Sequence, residues 1–211
     1  MTETIVIKAK RGRPAKNKLD YGNAKEALLR SGVELLTEKG FNSTGLDEIL
    51  KRVNVPKGSF YHYFKNKEAF GIDIIDYYSD YFVKKLKRHL IDSELPALES
   101  LQSFMEGAMQ GMDRFDYKRG CLIGNMAQEL GSSNENYRAK LESVFIIWQR
   151  HIENTLDQAK REGALSKNVD SAQLANFFWI GWEGAVMHSK LTQNKQPMEL
   201  FAKQFFALLP I

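Results

Sequence analysis

Residues 42–70, NSTGLDEILKRVNVPKGSFYHYFKNKEAF, are the stretch of the sequence that decides the predicted fold. In its first half the apolar residues recur at helical spacing, and Asn54 then breaks that pattern. Pro56 has a fixed φ that suits the first position of a helix, so a second short helix is predicted over residues 56–63. The stretch therefore predicts two short helices joined by a tight turn.

Two polar residues in this stretch are placed to cap helices. Thr44 precedes the first helix, where its side-chain oxygen could bind backbone amides that have no intrahelical partner. Asn66 precedes a third helix, and Glu68 adds a favourable negative charge to the first turn of that helix. We therefore expect Thr44 and Asn66 to begin the helices on either side of the turn.

The second short helix carries the side chains that a helix needs in a DNA major groove. Lys57 can reach a phosphate or a guanine edge, and Gly58 lets the backbone approach the sugar-phosphate chain. Hydroxyl, imidazole and lysine groups nearby can donate to bases or phosphates. An ordinary surface helix pair is the alternative interpretation. The residues predicted to contact DNA in and around this motif are Thr44, Lys57, Gly58, Ser59, Tyr61, His62 and Lys65.

The string from Gly40 to Glu68, with VPKGSFYHYF at its centre, resembles the DNA-binding domain of TetR-family repressors. The resemblance implies an all-α protein with an N-terminal three-helix helix-turn-helix domain plus a C-terminal helical effector-binding and dimerisation domain. It also implies a homodimer that a small molecule releases from double-stranded DNA. The predicted divisions are a basic flexible arm at 1–21, a DNA-binding domain at 22–82 with its motif at 45–64, and an effector-binding and dimerisation domain at 83–211.

The predicted arm contains the sequence KRGRP at residues 10–14. Two arginines on either side of a glycine fit the narrow minor groove of A·T tracts, as in AT-hook segments. We expect Arg11 and Arg13 to reach that groove, as the arms of homeodomains do beside a major-groove helix. The alternative is a disordered basic tail that only improves solubility.

Composition limits the compartment in which the protein is expected to act. The 211 residues are 43% hydrophobic and carry a net charge of +4, with basic residues concentrated at the start. No apolar run approaches the length of a membrane span, and the N-terminus does not read as a signal peptide. The single cysteine excludes an intrachain disulfide and fits a reducing cytoplasm. We therefore expect a cytoplasmic protein that does not associate with membranes.

The single cysteine, Cys121, lies in GCLIGNMAQELG, residues 120–131. This segment resembles the corresponding one in a TetR branch that includes repressors responsive to N-ethylmaleimide and acrylate, electrophiles that a cysteine can sense. At a helix N-terminus near Lys118 and Arg119, the thiol could have a lowered pKa and act as a nucleophile. The alternative is a buried cysteine that serves as a small apolar side chain.

The last two predicted helices, residues 171–191 and 197–209, are more apolar than one small core requires. We expect them to form a four-helix bundle across the two-fold axis of a dimer. The predicted interface residues are Phe177, Gly181, Gly184, Ala185, Phe201, Phe205 and Leu208. The alternative is that the extra aromatic residues line the effector pocket. The candidate effector-binding residues are Cys121, Trp148, Phe178 and Trp182.

Motifs of enzymes and metal sites do not occur in the sequence. The four histidines are isolated, and neither HExxH, Cys-x-x-Cys, Gly-x-Ser-x-Gly nor a phosphate-binding glycine loop is present. We therefore predict no enzyme activity, no metal and no cofactor. The predicted function is a ligand-responsive, sequence-specific DNA-binding transcriptional regulator, a repressor released by a small molecule for which an electrophile is one candidate. The alternatives are an architectural DNA-binding protein without an effector and, third, a helical enzyme.

Overall fold

The computed structural model describes residues 21–210, which form helices joined by turns, with no strand in that range. The all-α prediction is therefore confirmed. None of the helices in this part of the chain is both long and apolar enough to cross a membrane. The helices are α1 Tyr21–Lys39, α2 Leu46–Arg52, α3 Lys57–Tyr63, α4 Lys67–Leu90, α5 Ala97–Asp113, α6 Leu122–Leu130, α7 Glu135–Arg161, α8 Ser171–Thr192 and α9 Gln196–Ala207.

A cluster of phenylalanines holds α3 against the helices around it. Phe60 is fully buried, and its ring centroid lies 5.0 Å from that of Phe64 and 5.2 Å from that of Phe70 in α4. Phe64 and Phe70 are 4.7 Å apart in an edge-to-face arrangement, which aromatic pairs favour. Because the apolar side of α3 is buried in this way, its opposite side faces outward.

The predicted caps around α2 and α4 are partly right. Asn66 begins α4, and its side chain accepts a hydrogen bond from the Ala69 amide at 2.7 Å, as expected. The prediction that Thr44 caps α2 is wrong, since Gly45 is the N-cap and makes no side-chain bond. Thr44 is fully buried and donates to the Gly40 carbonyl at 2.6 Å. Its hydroxyl therefore stabilises the turn between α1 and α2.

The long helix α4 connects the first three helices with the larger C-terminal bundle. Its start packs beside α3, while Phe82 near its end lies 4.2 Å from Trp148 and 6.1 Å from Trp179, centroid to centroid. These aromatic residues form the centre of the C-terminal core together with α5, α7 and α8. The predicted boundary between residues 82 and 83 falls inside this continuous helix, and the division into domains remains a prediction.

Candidate DNA-binding surface and effector cavity

The outward side of α3 carries most of the polar residues that were predicted from the sequence to contact DNA. Lys57, Tyr61 and His62 are exposed, and Tyr61 keeps 54% of its surface accessible although it is aromatic. Ser59 is half-buried. Pro56 forms the N-cap rather than the first residue of α3, which moves the predicted start by one position. The helix therefore offers one continuous face on which these side chains are accessible.

Two further features leave this surface open to a close partner. A Cβ atom built on Gly58 would meet no heavy atom within 4 Å, so the backbone there is uncovered. Lys65 is exposed just beyond the helix. The Lys57 ammonium lies 3.4 Å from the Asp47 carboxylate, but both side chains are largely exposed, so this ion pair is weak.

Three of the predicted DNA-binding residues, Thr44, Arg11 and Arg13, are not among the described residues exposed on this surface. Thr44 cannot serve as a phosphate contact, because its side chain is buried and its hydroxyl is bound to Gly40, so that prediction is wrong. Arg11 and Arg13 lie outside the described residues. The other predicted contacts, at α3 and Lys65, remain predictions that their exposure supports.

A cavity of about 500 Å³ lies between α1, α4, α5 and α8, with the start of α6 at its base. We call it the central cavity. Its wall is largely apolar and aromatic, as in most small-molecule sites. The residues in its wall that can ionise include Tyr78, Cys121 and Glu183, and Lys85, which follows Tyr78 by seven positions in α4. Two of the predicted effector residues, Cys121 and Trp182, are therefore in its wall.

The thiol of Cys121 is at the N-cap of α6, but it does not have the predicted acidity. It is buried, and burial together with the nearby Glu183 carboxyl raises its pKa well above the usual value. Lys118 and Arg119 do not offset this, since Lys118 is exposed beside Asp116 and Arg119 pairs with Glu38. The expectation of a lowered thiol pKa is therefore wrong, and the alternative of a buried cysteine is the one observed.

Glu183 was not singled out from the sequence. Burial raises the pKa of its carboxyl to about 7, so it titrates near neutral pH beside Cys121 and Tyr78. The signal in the sequence was a single carboxylate within the apolar run of α8, between Trp182 and Gly184. An acid that is half-buried, makes no salt bridge within residues 21–210 and has a perturbed pKa is more often found at functional sites than elsewhere.

A glycine in α6 makes room for this carboxyl. A Cβ atom built on Gly124 would lie 2.2 Å from Oε2 of Glu183 and 3.8 Å from Cβ of Cys121. Any larger residue at position 124 would force the carboxyl away from its present place. The close approach of Glu183 to Cys121 therefore depends on Gly124.

Trp148 and Phe178, which were predicted as effector residues, do not line the central cavity. Trp148 is fully buried between Phe82 and Trp179, with the Trp179 ring 5.1 Å away. Phe178 is also fully buried, and its ring stacks on that of Trp182 at 5.9 Å. Both residues belong to the packed core, so for them the effector prediction is wrong.

The central cavity lies beside a junction that joins the C-terminal helices to the end of α1. Lys190 of α8 donates to the Thr37 carbonyl at 2.9 Å, and Asn125 of α6 donates to the same carbonyl at 3.3 Å. Glu129 of α6 accepts from the Phe41 amide at 3.0 Å. These bonds fix the last turn of α1, and with it the entry to α2, to helices that border the cavity.

The outer faces of α8 and α9 expose apolar side chains that nothing in the described chain covers. Those of α8 recur at helical spacing along one side, and one residue of α9 and the residue that follows α9 extend the surface. We call this the α8–α9 face. Its large apolar side chains are Phe177, Ile180, Met187, Leu191, Leu200 and Leu208, between 49% and 78% exposed.

The predicted dimer residues are divided between this face and the interior of the subunit. Phe177, Gly184 and Leu208 are exposed on the face. Ala185 and Phe205 are buried within the subunit, so they are not available to a partner. Gly181 is also used internally, since a Cβ there would lie 2.2 Å from the ring of the half-buried Phe201 in the same chain. For the buried Ala185 and Phe205 the interface prediction is wrong, whereas for the half-buried Gly181 and Phe201 it stays a prediction.

Two family models match the chain. One, described as bacterial regulatory proteins of the tetR family, matches residues 28–71 and so contains α2 and α3. The other, described as a tetracyclin repressor-like C-terminal domain, matches residues 97–205. The second match alone spans half of the chain and includes most of the helices around the central cavity.

Individual proteins match over nearly the whole length. The transcriptional regulator AcuR of Cereibacter sphaeroides is 44% identical over 202 residues, which cover 96% of this chain and 92% of AcuR. The HTH-type transcriptional repressor NemR of Escherichia coli K12 is 26% identical over 183 residues, 87% of this chain and 92% of NemR. The crystal structure of regulatory protein TetR from Rhodobacter sphaeroides matches with a TM-score of 0.85 at 44% identity, covering 88% of this chain and 98% of that one.

Proposed function

The chain belongs to the TetR family of bacterial transcriptional regulators, whose members are DNA-binding proteins rather than enzymes, and on that premise we propose that it is a homodimeric repressor released from its operator by a small molecule. The observation that carries the proposal is the presence, in one chain, of an exposed α3 face and of a cavity between α1, α4, α5 and α8. Operator DNA is in the bacterial cytoplasm, so the protein would act there.

In the proposed complex each subunit inserts α3 into a major groove. Lys57, Tyr61 and His62 are accessible for base and phosphate contacts, and the open backbone at Gly58 allows close approach. Two-fold symmetry then requires half-sites about 34 to 36 Å apart, or a multiple of that distance.

The α8–α9 face is the proposed dimer interface. TetR-family regulators act as dimers, and an apolar surface of this extent would be unfavourable in water. Burying it against the same face of a second chain would form a four-helix bundle around the two-fold axis. The distance between the two α3 helices would then depend on the angle between each subunit and that bundle.

Release would follow from occupation of the central cavity. The cavity borders both α4, which starts next to α3, and the junction that holds the last turn of α1. A small molecule that prefers the conformation with mis-spaced α3 helices would shift the equilibrium by its difference in affinity for the two states. An architectural protein without an effector would be expected to have a filled C-terminal core, and the cavity counts against that alternative.

An electrophile is one class of effector that this cavity could take. Cys121 is in the wall, and the neighbouring Glu183 carboxylate can accept the thiol proton as the sulfur bonds to the ligand. In an addition to an activated alkene, the proton would pass to the carbon next to the activating group. If the thiol is the sensor, Cys121→Ser should abolish release by N-ethylmaleimide, whereas unchanged release would exclude this chemistry.

The test of the proposed function begins with isolating the genomic fragments that bind the purified protein. With one such fragment, Lys57→Ala should weaken binding about tenfold without changing the melting temperature. Lys118→Ala is the matched control, because Lys118 is an equally exposed lysine that lies 3.2 Å from a neighbouring carboxylate, Asp116. Equal affinities for wild type and Lys57→Ala would contradict the proposed docking of α3.

A further inference from the structure

We propose that the effector is an amphipathic organic carboxylate, whose carboxylate pairs with Lys85 and whose apolar body extends along α4 toward Cys121. The inference rests on the proposed function, because it names the class of molecule that the central cavity takes. It follows from the charges in the cavity wall, from their spacing and from the apolar surface between them.

Lys85 is the cation in the cavity wall that lacks an anionic partner among residues 21–210. Its Nζ donates to the Gly107 carbonyl at 3.4 Å, a long hydrogen bond, and it takes part in no salt bridge within that range. Burial, and then the charge of Arg88, lower the pKa of Lys85. An ammonium held partly out of water without a counter-ion is unfavourable, and a ligand carboxylate would supply that counter-ion.

The arginines in the cavity wall are already paired with carboxylates of α1. Arg119 lies 2.7 Å from Glu38 and 3.6 Å from Glu34, and its guanidinium stacks over the Phe115 ring. Glu34 also binds Arg52 at 2.6 Å. A ligand anion would have to compete with these protein carboxylates at Arg119, whereas no carboxylate of residues 21–210 pairs with Lys85.

The opposite end of the cavity does not favour a second negative charge. There the wall consists of Cys121, Tyr78 and Glu183, each of which has a raised pKa because of burial. The raised pKa values mean that the surroundings of these groups disfavour a negative charge, and they would disfavour a ligand anion for the same reason. The arrangement therefore suits a molecule with one charged end and one uncharged end.

The spacing along α4 sets the length of that molecule. Tyr78, which contacts Cys121, and Lys85 are separated by seven residues, or about 10 Å of helix rise. They lie on the same side of the helix, with Phe82 between them in the cavity wall. An acyl chain of the length of octanoate spans this distance, whereas acetate would occupy only the end beside Lys85.

Apolar side chains from other helices complete the wall between the two ends. Met112 from α5, Trp182 and Val186 from α8, and Met198 from α9 all line the cavity. The two methionines are flexible enough to adapt to ligands of different shape. A hydrocarbon body would therefore bury its surface against these side chains while its carboxylate stays at Lys85.

The test compares octanoate with octanamide, which has the same chain and no charge, by calorimetry on the full-length dimer. Wild type should bind octanoate about tenfold more tightly than octanamide, the value of one charge-assisted contact. Lys85→Met should remove this preference by weakening octanoate alone. Lys84→Met, which removes an exposed lysine next in sequence, should retain it. Acetate should bind more weakly than octanoate to wild type.

Equal affinities for the two ligands, no binding of either, or a preference that persists in Lys85→Met would each overturn the inference. Lys85→Gln provides a second variant with a polar side chain if the methionine variant does not fold. Operator binding is measured on the same samples. If the protein binds its operator but gives one of these results, only the assignment of a carboxylate effector is contradicted. If the protein binds no operator, the proposed function itself is contradicted.

Discussion

Nζ of Lys190 lies 2.9 Å from the carbonyl oxygen of Thr37, so a helix of the C-terminal bundle caps the end of the first helix of the chain. The same ammonium reaches the Glu38 carbonyl at 3.3 Å. Carbonyls in the last turn of a helix have no intrahelical partner, and a cation there also interacts favourably with the helix dipole. The contact therefore stabilises the last turn of α1 at the point where the chain enters α2.

Replacing Lys190 with methionine should lower the free energy of unfolding by about 1 kcal/mol, because the carbonyls lose their cationic donor. Amide exchange in the last turn of α1 should become faster, measured by mass spectrometry. Lys203→Met, at an exposed position of α9, is the control and should change neither quantity. If the last turn of α1 exchanges at the wild-type rate in Lys190→Met, the contact contributes nothing to holding it.

The stability of the protein should depend on pH through Glu183. Its pKa of about 7 in the folded state exceeds the ordinary glutamate value of 4.5, so the folded state keeps a proton that the unfolded state has released. This contribution is fully present below the unfolded pKa and is lost as the pH rises through the folded pKa. Relative to Glu183→Gln, wild type should lose about 2 kcal/mol between about pH 5 and about pH 8.

Denaturant titrations at several pH values measure this difference. Cys121 and Tyr78, the other titratable groups that face Glu183, have pKa values raised by burial and stay protonated over that range. Glu142→Gln removes an exposed carboxyl of α7 and is the control. A wild-type curve parallel to that of Glu183→Gln would mean that the carboxyl is ionised in the folded protein at all these pH values.

A charge on the α8–α9 face should separate the subunits. Leu191→Glu places a carboxylate where 78% of an apolar side chain is exposed, so the subunit should fold normally while the dimer dissociates. Sedimentation should show a monomer, and operator affinity should fall at least about a hundredfold, since only one half-site can then be held per particle. Leu95→Glu changes another exposed leucine, outside this face, and should remain dimeric.

The predicted arm should contribute sequence-dependent affinity. Deleting residues 1–17 should weaken binding most at operators with A·T-rich flanks, because Arg11 and Arg13 would no longer enter a narrow minor groove. The measurement is a comparison of otherwise identical operators with A·T-rich and G·C-rich flanks. An equal loss of affinity for both operators would mean that the arm contributes only general electrostatic attraction to DNA.

The fold could be predicted because its signals are local. Helical spacing, the Asn66 cap and the left-handed Gly40 at the end of α1 all act within a few residues, and the structure contains each of them. The family matches confirm the resemblance that the α2–α3 string indicated. Thr44 was misassigned because a threonine before a helix can bond forward as a cap or backward to a carbonyl, and the sequence does not distinguish these.

The cavity could be predicted less well because it depends on contacts between distant helices. Trp148 and Trp182 both lie on the apolar side of a predicted helix, yet only Trp182 reaches the cavity wall. The thiol pKa was predicted from the cations next to Cys121 in sequence, whereas burial, and then Glu183 some sixty residues away, raise it. Gly181 was assigned to the dimer interface because a glycine in a helix permits close approach of another helix. In the structure the ring of Phe201, from the next helix of the same chain, fills that space.

Because α4 is one continuous helix, it connects α3 directly to the central cavity. Its first residues pack behind α3, the helix proposed to contact the operator, and its second half contributes Tyr78, Phe82 and Lys85 to the wall of the central cavity. With 24 residues it is about 36 Å long, close to the distance between half-sites on a duplex. A tilt of a few degrees at the end that borders the central cavity would displace the other end by an ångström or more. If the proposed effector binds in the cavity, α4 alone can carry the change to α3.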